Sequence, residues 1–151
     1  MKSWVEARRL CRGALQMKQL QERELQSIAA QDAVLAERYT ALASQRDAIL
    51  ALVDSSKPSQ RESDITGLRS GMRATSMLRQ QVRDIEVTLT TLAESRERLA
   101  TDRDLAENEW RRWWRKETKY TRLARTLRNE ARKRQAFVES GELEERQSWG
   151  L

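Results

Sequence analysis

A seven-residue repeat of apolar side chains is the feature that most constrains this chain. From Leu78 to Arg134 the positions alternate in steps of three and four residues, and thirteen of the seventeen are apolar or aromatic. No proline or glycine interrupts them. A repeat held this long specifies a helix that supercoils left-handedly around a neighbouring helix. The seventeen positions are Leu78, Val82, Ile85, Leu89, Leu92, Arg96, Leu99, Arg103, Ala106, Trp110, Trp113, Glu117, Tyr120, Ala124, Leu127, Ala131 and Arg134.

A shorter repeat of the same spacing precedes the only proline of the chain. Seven of its nine positions are apolar, which predicts the narrow seam of a coiled coil rather than the broad stripe of a globular helix. The nine positions are Leu25, Ile28, Asp32, Leu35, Tyr39, Leu42, Arg46, Ile49 and Val53. Farther upstream, the seam is predicted to continue more loosely through Leu10, Ala14, Met17 and Leu20 or Gln21.

The two repeats are separated by a polar stretch around Pro58. Proline lacks the backbone N–H that a helix interior needs, so the first helix should end before it. Ser59 and Glu62 have the spacing of a capping box at the start of the second helix, and Ser63 or Asp64 is a competing cap. The sequence predicts one domain, residues 1–151, with helix 1 at about 4–53, a turn at about 54–62, helix 2 at about 63–140 and a tail at 141–151.

The predicted fold is all-α: a long antiparallel two-helix coiled coil, or helical hairpin, with a longer second helix. Helices joined by a short loop usually fold back on each other. Pairing between two chains remains an alternative, because the seam suits either arrangement. If the turn is centred on Pro58, Trp4 lies at the level of Arg112. Helix 2 beyond about Trp114 would then have no neighbour and would overhang by roughly 40 Å.

The start of the second helix is predicted to be helical but loosely packed. Gly67 and Gly71 each cost about 1 kcal/mol relative to alanine in a helix. Met72 and Met77 lie off the seam. This pattern is explained either by fraying near a turn or by an adaptable contact surface, which methionine side chains favour.

Several classes of function are disfavoured by the composition. The chain has no histidine, and it lacks Gly-rich phosphate loops and paired-cysteine metal motifs. We therefore expect no enzyme, cofactor, metal or small-molecule substrate. Cys11 is the single cysteine, which fits a reducing compartment. No apolar run approaches the ~18 residues of a membrane span, and the N-terminus lacks an apolar signal-peptide core, so we expect a cytoplasmic protein without membrane insertion.

Positive charge is concentrated in residues 111–134. This segment holds eleven Lys or Arg and two Glu, a net charge of +9, whereas the whole chain carries +6. It could be a solvated basic face with aromatic seam residues, a nucleic-acid-binding surface, or a surface that docks into an acidic or polar protein cavity. Docking is favoured because the segment coincides with the predicted overhang, where apolar seam residues would otherwise be exposed.

Two local stretches, together with the length and the unequal hairpin, resemble a known family. Residues 77–86 read MLRQQVRDIE, and residues 113–122 read WWRKETKYTR. The second is similar to the W-L-R-K-E-x-x-Y-x-R pattern of the InvI branch. Over about residues 10–134 the chain resembles the small coiled-coil central stalk proteins of type III secretion systems, of the FliJ, YscO and InvI type.

The resemblance implies a protein similar to the gamma subunit of rotary ATPases. Such a stalk sits in the pore of the hexameric type III secretion ATPase, stimulates it and links it to the export gate at the cytoplasmic base of the apparatus. Some members also hand over secretion chaperones. A helical adaptor or chaperone-binding protein, or a nucleic-acid-binding coiled coil, remains the alternative. The resemblance implies ring contacts at Arg112, Trp114, Arg115, Lys116, Lys119 and Arg122, and gate contacts at Arg69, Met72 and Met77.

Overall fold

Two long helices account for the structure. The computed structural model describes residues 3–55 and 65–149, in which α1 spans Trp4–Ser55 and α2 spans Ile65–Trp149. Ser3 caps the start of α1, because its Oγ accepts a hydrogen bond from the backbone N–H of Glu6 at 3.3 Å. The predicted all-α helical hairpin with a longer second helix is confirmed. The predicted caps at Ser59, Glu62, Ser63 and Asp64 lie outside the described residues.

The second helix is longer than the sequence predicted. It ends at Trp149, so the predicted end near residue 140 and the separate tail are wrong. Gly141 does not end the helix, because it adopts no positive φ, and the glutamates and leucine that follow it are good helix formers. Gly71 is also an interior residue of α2, at the point where the prediction expected looser helix.

Contacts divide the chain into two compact units, one of which comprises Gln26–Asp104. Its apolar core joins the second half of α1 to α2 through a cluster of buried side chains: Ile49, Val82, Ile85 and Leu89. Half-buried neighbours complete it: Tyr39, Leu42, Ala43 and Leu78. The seam predicted for α1 is confirmed, because each of its nine positions from Leu25 to Val53 is buried or half-buried. An interior of this kind is one side chain deep and depends on seam residues alone.

The register within this unit differs from the prediction. A turn centred on Pro58 would place Ile49 opposite Gly67, but Ile49 packs in one cluster with Val82 and Ile85. Residues 65–74 of α2 are consequently exposed and lie beyond the packed seam. Exposure is high for the large apolar side chains of this stretch, at 69% for Ile65 and 65% for Met72.

A polar pair interrupts the apolar seam of the same unit. Arg96 donates from Nε to Oδ1 of Asp32 at 2.9 Å, and a second guanidinium nitrogen reaches Oδ2 at 3.4 Å. The hydrogen bond from Arg96 lowers the pKa of Asp32 below its usual value, and the nearby charge of Arg103 acts in the same direction. Arg96, a polar position of the predicted seam, therefore has its partner on α1.

The other unit joins the start of α1 to the second part of α2, with bounds Met1–Leu25 and Leu105–Leu151. Here the predicted upstream seam is partly wrong: Leu10, Met17 and Leu20 are 42%, 36% and 54% exposed. The predicted Ala14 is buried, and Gln21, the predicted alternative to Leu20, is half-buried; Ala7, which was not predicted, is buried as well. Small side chains fit this seam because the facing part of α2 fills it with half-buried aromatic rings. The observed seam positions are Trp4, Ala7, Cys11, Ala14, Lys18, Gln21 and Leu25.

The pairing of this unit also corrects the predicted overhang. The indole of Trp4 lies 5.8 Å from the guanidinium carbon of Arg128, sixteen residues beyond the predicted Arg112. Helix α1 therefore accompanies α2 well past Trp114, and the prediction that α2 is unpaired from there is wrong. From residue 128 to residue 149 every side chain is exposed, so the overhang starts later than expected. Within the described parts of the chain, neither helix has a stretch apolar and long enough for a transmembrane segment.

Candidate protein-docking surface

The side of α2 that faces α1 is built around aromatic rings. Trp110 donates from Nε1 to Oε1 of Glu22 at 3.1 Å. Trp113 is half-buried, and the ammonium of Lys116 lies 4.4 Å from its ring centroid, within cation–π range. The buried indole nitrogen of Trp113 has no hydrogen-bond partner among the described residues. Lys116 thus serves the packing of Trp113 and is less available than its neighbours.

Polar contacts hold α1 to the next turn of α2. The Nζ of Lys18 lies 2.7 Å from Oε2 of Glu117, and both side chains are largely shielded from solvent. Thr121 donates its hydroxyl proton to the carbonyl of Glu117 at 2.8 Å. Its oxygen therefore accepts from the thiol of Cys11, whose Sγ lies 3.0 Å away. These contacts fix which face of α2 is covered by α1 and which face is left to solvent.

The faces of α2 that α1 leaves uncovered carry an exposed group of cations and one exposed indole. We define the basic surface as Arg112, Trp114, Arg115, Lys119 and Arg122, all of which are exposed. Trp114 is 47% exposed. Nη1 of Arg112 lies 3.6 Å from Oε1 of Glu109. By contrast, Arg115, Lys119 and Arg122 form no ion pair with the described residues. This surface combines accessible positive charge with an accessible aromatic ring.

Shallow grooves run along both sides of Trp114. One is lined by Trp114, Arg115, Thr118, Lys119, Arg122, Leu123 and Thr126. The other is lined by Lys18, Trp114, Glu117, Thr118, Thr121, Arg122 and Arg125. The hydroxyl of Thr118 is already satisfied, because it donates to the carbonyl of Trp114 at 2.9 Å. The grooves therefore offer apolar contact along the indole, with cations placed to meet carboxylates at their rims.

Like charges at helical spacing make the basic surface unfavourable for the isolated protein. Arg115 and Lys119 are four residues apart, and Lys119 and Arg122 are three apart, so the side chains of each pair are neighbours on α2. Each such pair costs an isolated helix about 0.2–0.5 kcal/mol. An acidic partner would turn this repulsion into attraction, most strongly at low salt.

The residues predicted to contact a ring lie together on α2, although their environments differ. Five of the six form the basic surface, and Lys116 lies against Trp113 at its edge. The residues predicted to contact a gate, Arg69, Met72 and Met77, are exposed at the start of α2, in the other unit. Sequence reasoning missed Arg125, which lines the second groove, although its place in the dense basic segment was a signal. No cluster of side chains suited to a metal ion occurs among the residues that the structure describes.

One comparison with known proteins extends over nearly the whole chain. The family model described as Salmonella surface presentation of antigen gene type M protein matches residues 6–147. No curated protein and no solved structure matches the chain. The matched range includes the packed seams of both helices and the entire basic surface.

Proposed function

Because the chain belongs to the family of Salmonella surface presentation of antigen gene type M proteins, and is thus a type III secretion-associated protein, we propose that it is the central stalk of an export ATPase. In this proposal the hairpin inserts into the hexameric ring, stimulates ATP hydrolysis and links the ring to the export gate. The protein then works at the cytoplasmic base of the apparatus and has no catalytic residues of its own.

The observation that carries the proposal is the basic surface. Arg115, Lys119 and Arg122 are exposed and unpaired with the described residues, and they flank a half-exposed indole. The paired α1 covers the other side of α2, so the cations project from a helix held in place. A ring interior lined by carboxylates and polar groups would match this surface. Charge complementarity of this kind mainly sets the association rate and the orientation of the partners.

The second contact in this proposal is with the export gate. Arg69, Met72 and Met77 lie at the start of α2, where Ile65 and Leu68 are also exposed. Flexible methionines and exposed aliphatic side chains suit a protein partner that changes shape. We assign this stretch to the export gate because it lies outside the unit that carries the basic surface.

The decisive experiment reverses three charges and measures stimulation of the purified ATPase. The test variant is Arg115→Glu/Lys119→Glu/Arg122→Glu. Lys116 is left unchanged because its ammonium packs on Trp113. We expect loss of binding in pull-down and loss of ATPase stimulation, with unchanged helicity by circular dichroism. Binding of the unmodified protein should weaken as salt rises.

The matched control is Arg73→Glu/Arg79→Glu/Arg98→Glu, which changes the net charge by the same amount at exposed positions of the other unit. It should stimulate the ATPase normally. Equal stimulation by both triple variants would refute the ring assignment. Capture of a secretion chaperone without any response of the ATPase would favour the adaptor function. Salt-sensitive binding of RNA or DNA, lost in the test variant alone, would favour nucleic-acid binding, in which Trp114 stacks on bases.

A further inference from the structure

The last part of α2 has no neighbouring helix among the residues that the structure describes. We define the free arm as residues 131–149, all of which are exposed. Exposure reaches 80% for Phe137, 56% for Val138, 58% for Leu143 and 87% for Trp149. A single helix of about this length is marginal in water, and exposed apolar side chains of this size favour a partner surface.

One face of the free arm carries a stripe that is symmetric about Val138. The stripe extends the face on which α1 packs, since it begins at the half-buried Leu127. Its steps are four, three, four, four, three and four residues, which read the same in both directions. At 3.6 residues per turn these positions stay within a band of about 80°. The stripe consists of Leu127, Ala131, Arg134, Val138, Glu142, Glu145 and Trp149.

The charges of the stripe are complementary to their own reversed order. If two copies pair antiparallel with Val138 facing Val138, stripe residues equally distant from it lie opposite each other. Arg134 then faces Glu142, and Leu127 faces Trp149. No two like charges face each other within the stripe. A parallel pair would instead place each charge of the stripe beside its own copy, so the stripe favours the antiparallel arrangement.

From this symmetry we propose that the free arm binds the free arm of a second copy of the chain, as an antiparallel two-helix coiled coil around a two-fold axis at Val138. Such an interface is self-complementary, because every contact occurs twice. The partner's Trp149 reaches the level of Leu127. Since Trp4 marks the start of α1 near Arg128, the partner helix continues along α2 from where α1 begins.

The first test is the mass of the full-length protein by analytical ultracentrifugation over a range of concentrations. The mass should rise from 17.7 kDa towards twice that value, and the rise should require higher concentration at high salt. Arg134→Glu and Glu142→Arg should each weaken the homodimer about tenfold, because the two symmetry-related Arg134–Glu142 pairs become repulsive. Arg79→Glu, in the other unit, is the charge-matched control for Arg134→Glu and should dimerise normally.

Mixing the two variants provides the specific readout. One variant then carries glutamate at both positions 134 and 142 and the other carries arginine at both, so an equimolar mixture should form the heterodimer. Two proteins with Cys11→Ser, one carrying Arg134→Cys and one carrying Glu142→Cys, should crosslink to each other faster than to themselves. A monomeric wild type, no association in the mixture, or preferential self-crosslinking would each overturn the proposal. ATPase stimulation is a separate readout, so these outcomes do not depend on the stalk function.

Discussion

Replacing two valines of the same helix tests whether the seam of the 26–104 unit provides its stability. Val82 is 7% exposed and Val87 is 67% exposed. Valine to alanine removes two carbons, worth about 1.6 kcal/mol when fully buried at ~0.8 kcal/mol each. Scaled by burial, the loss is about 1.5 kcal/mol at Val82 and about 0.5 kcal/mol at Val87. Alanine returns about 0.6 kcal/mol of helix propensity at both positions.

The expected net destabilisation is therefore about 1 kcal/mol for Val82→Ala, with any cavity adding to it, and about zero for Val87→Ala. Thermal unfolding followed by circular dichroism should show the first variant melting about 2–4 °C below the wild type and the second at nearly the same temperature. The propensity term is common to both variants, so their difference measures burial alone. Equal melting temperatures would show that the cluster of Ile49, Val82, Ile85 and Leu89 does not limit stability.

Two further predictions concern the corrected seam and the polar pair. Ala14→Leu should destabilise the protein by about 1–3 kcal/mol in urea unfolding, because Ala14 is 1% exposed, whereas Leu10→Ala should change stability by less than about 0.5 kcal/mol; the reverse order would restore the original seam. Arg96 lowers the folded-state pKa of Asp32, so their pair contributes stability above the usual value of 3.8 and loses it as pH falls through the lowered pKa. Asp32→Asn should accordingly lose less stability than wild type when thermal melts are compared from neutral pH to below 3.8, and identical pH dependence would refute this role.

Hydrophobic periodicity was sufficient to predict the two helices and most of their packed faces. The seam positions from Leu25 to Val53 are all buried or half-buried, and those from Leu78 to Leu127 follow the prediction except for exposed Arg103. Periodicity did not predict the whole seam near the start of α1, where the buried side chains change from large to small. Strict heptad steps backwards from Leu25 reach Lys18, Ala14 and Cys11. The prediction included Ala14, but it chose the larger apolar residues Met17 and Leu10 over Lys18 and Cys11.

Periodicity does not determine how far one helix is shifted along the other. Every heptad presents a similar face. The prediction of which residues of α1 and α2 lie opposite each other therefore depended entirely on a turn assumed to be centred at Pro58. The observed contact of Trp4 with Arg128 lies sixteen residues from the predicted one, a displacement of about 24 Å at 1.5 Å per residue. The residues of the basic surface are exposed, as the prediction expected, but the reason given for their exposure was wrong. Its cations are exposed because they occupy the face of α2 turned away from α1.

Polar seam residues determine this register in the unit that carries the basic surface. Lys18 pairs with Glu117, and Glu22 accepts from Trp110. A slip of one heptad towards the end of α2 would move Lys18 to Ala124 and bring Glu22 to the level of Glu117, replacing an attraction with a repulsion. A slip in the other direction would move Lys18 to Trp110 and leave Glu117 without its cation. Such polar positions specify one register among many similar apolar ones.

In the 26–104 unit the polar residues discriminate less between registers, because a slip of one heptad moves Asp32 from Arg96 to another arginine, Arg103. The pairs Lys18–Glu117 and Glu22–Trp110 therefore set which residues of α2 project as the basic surface and where the free arm begins.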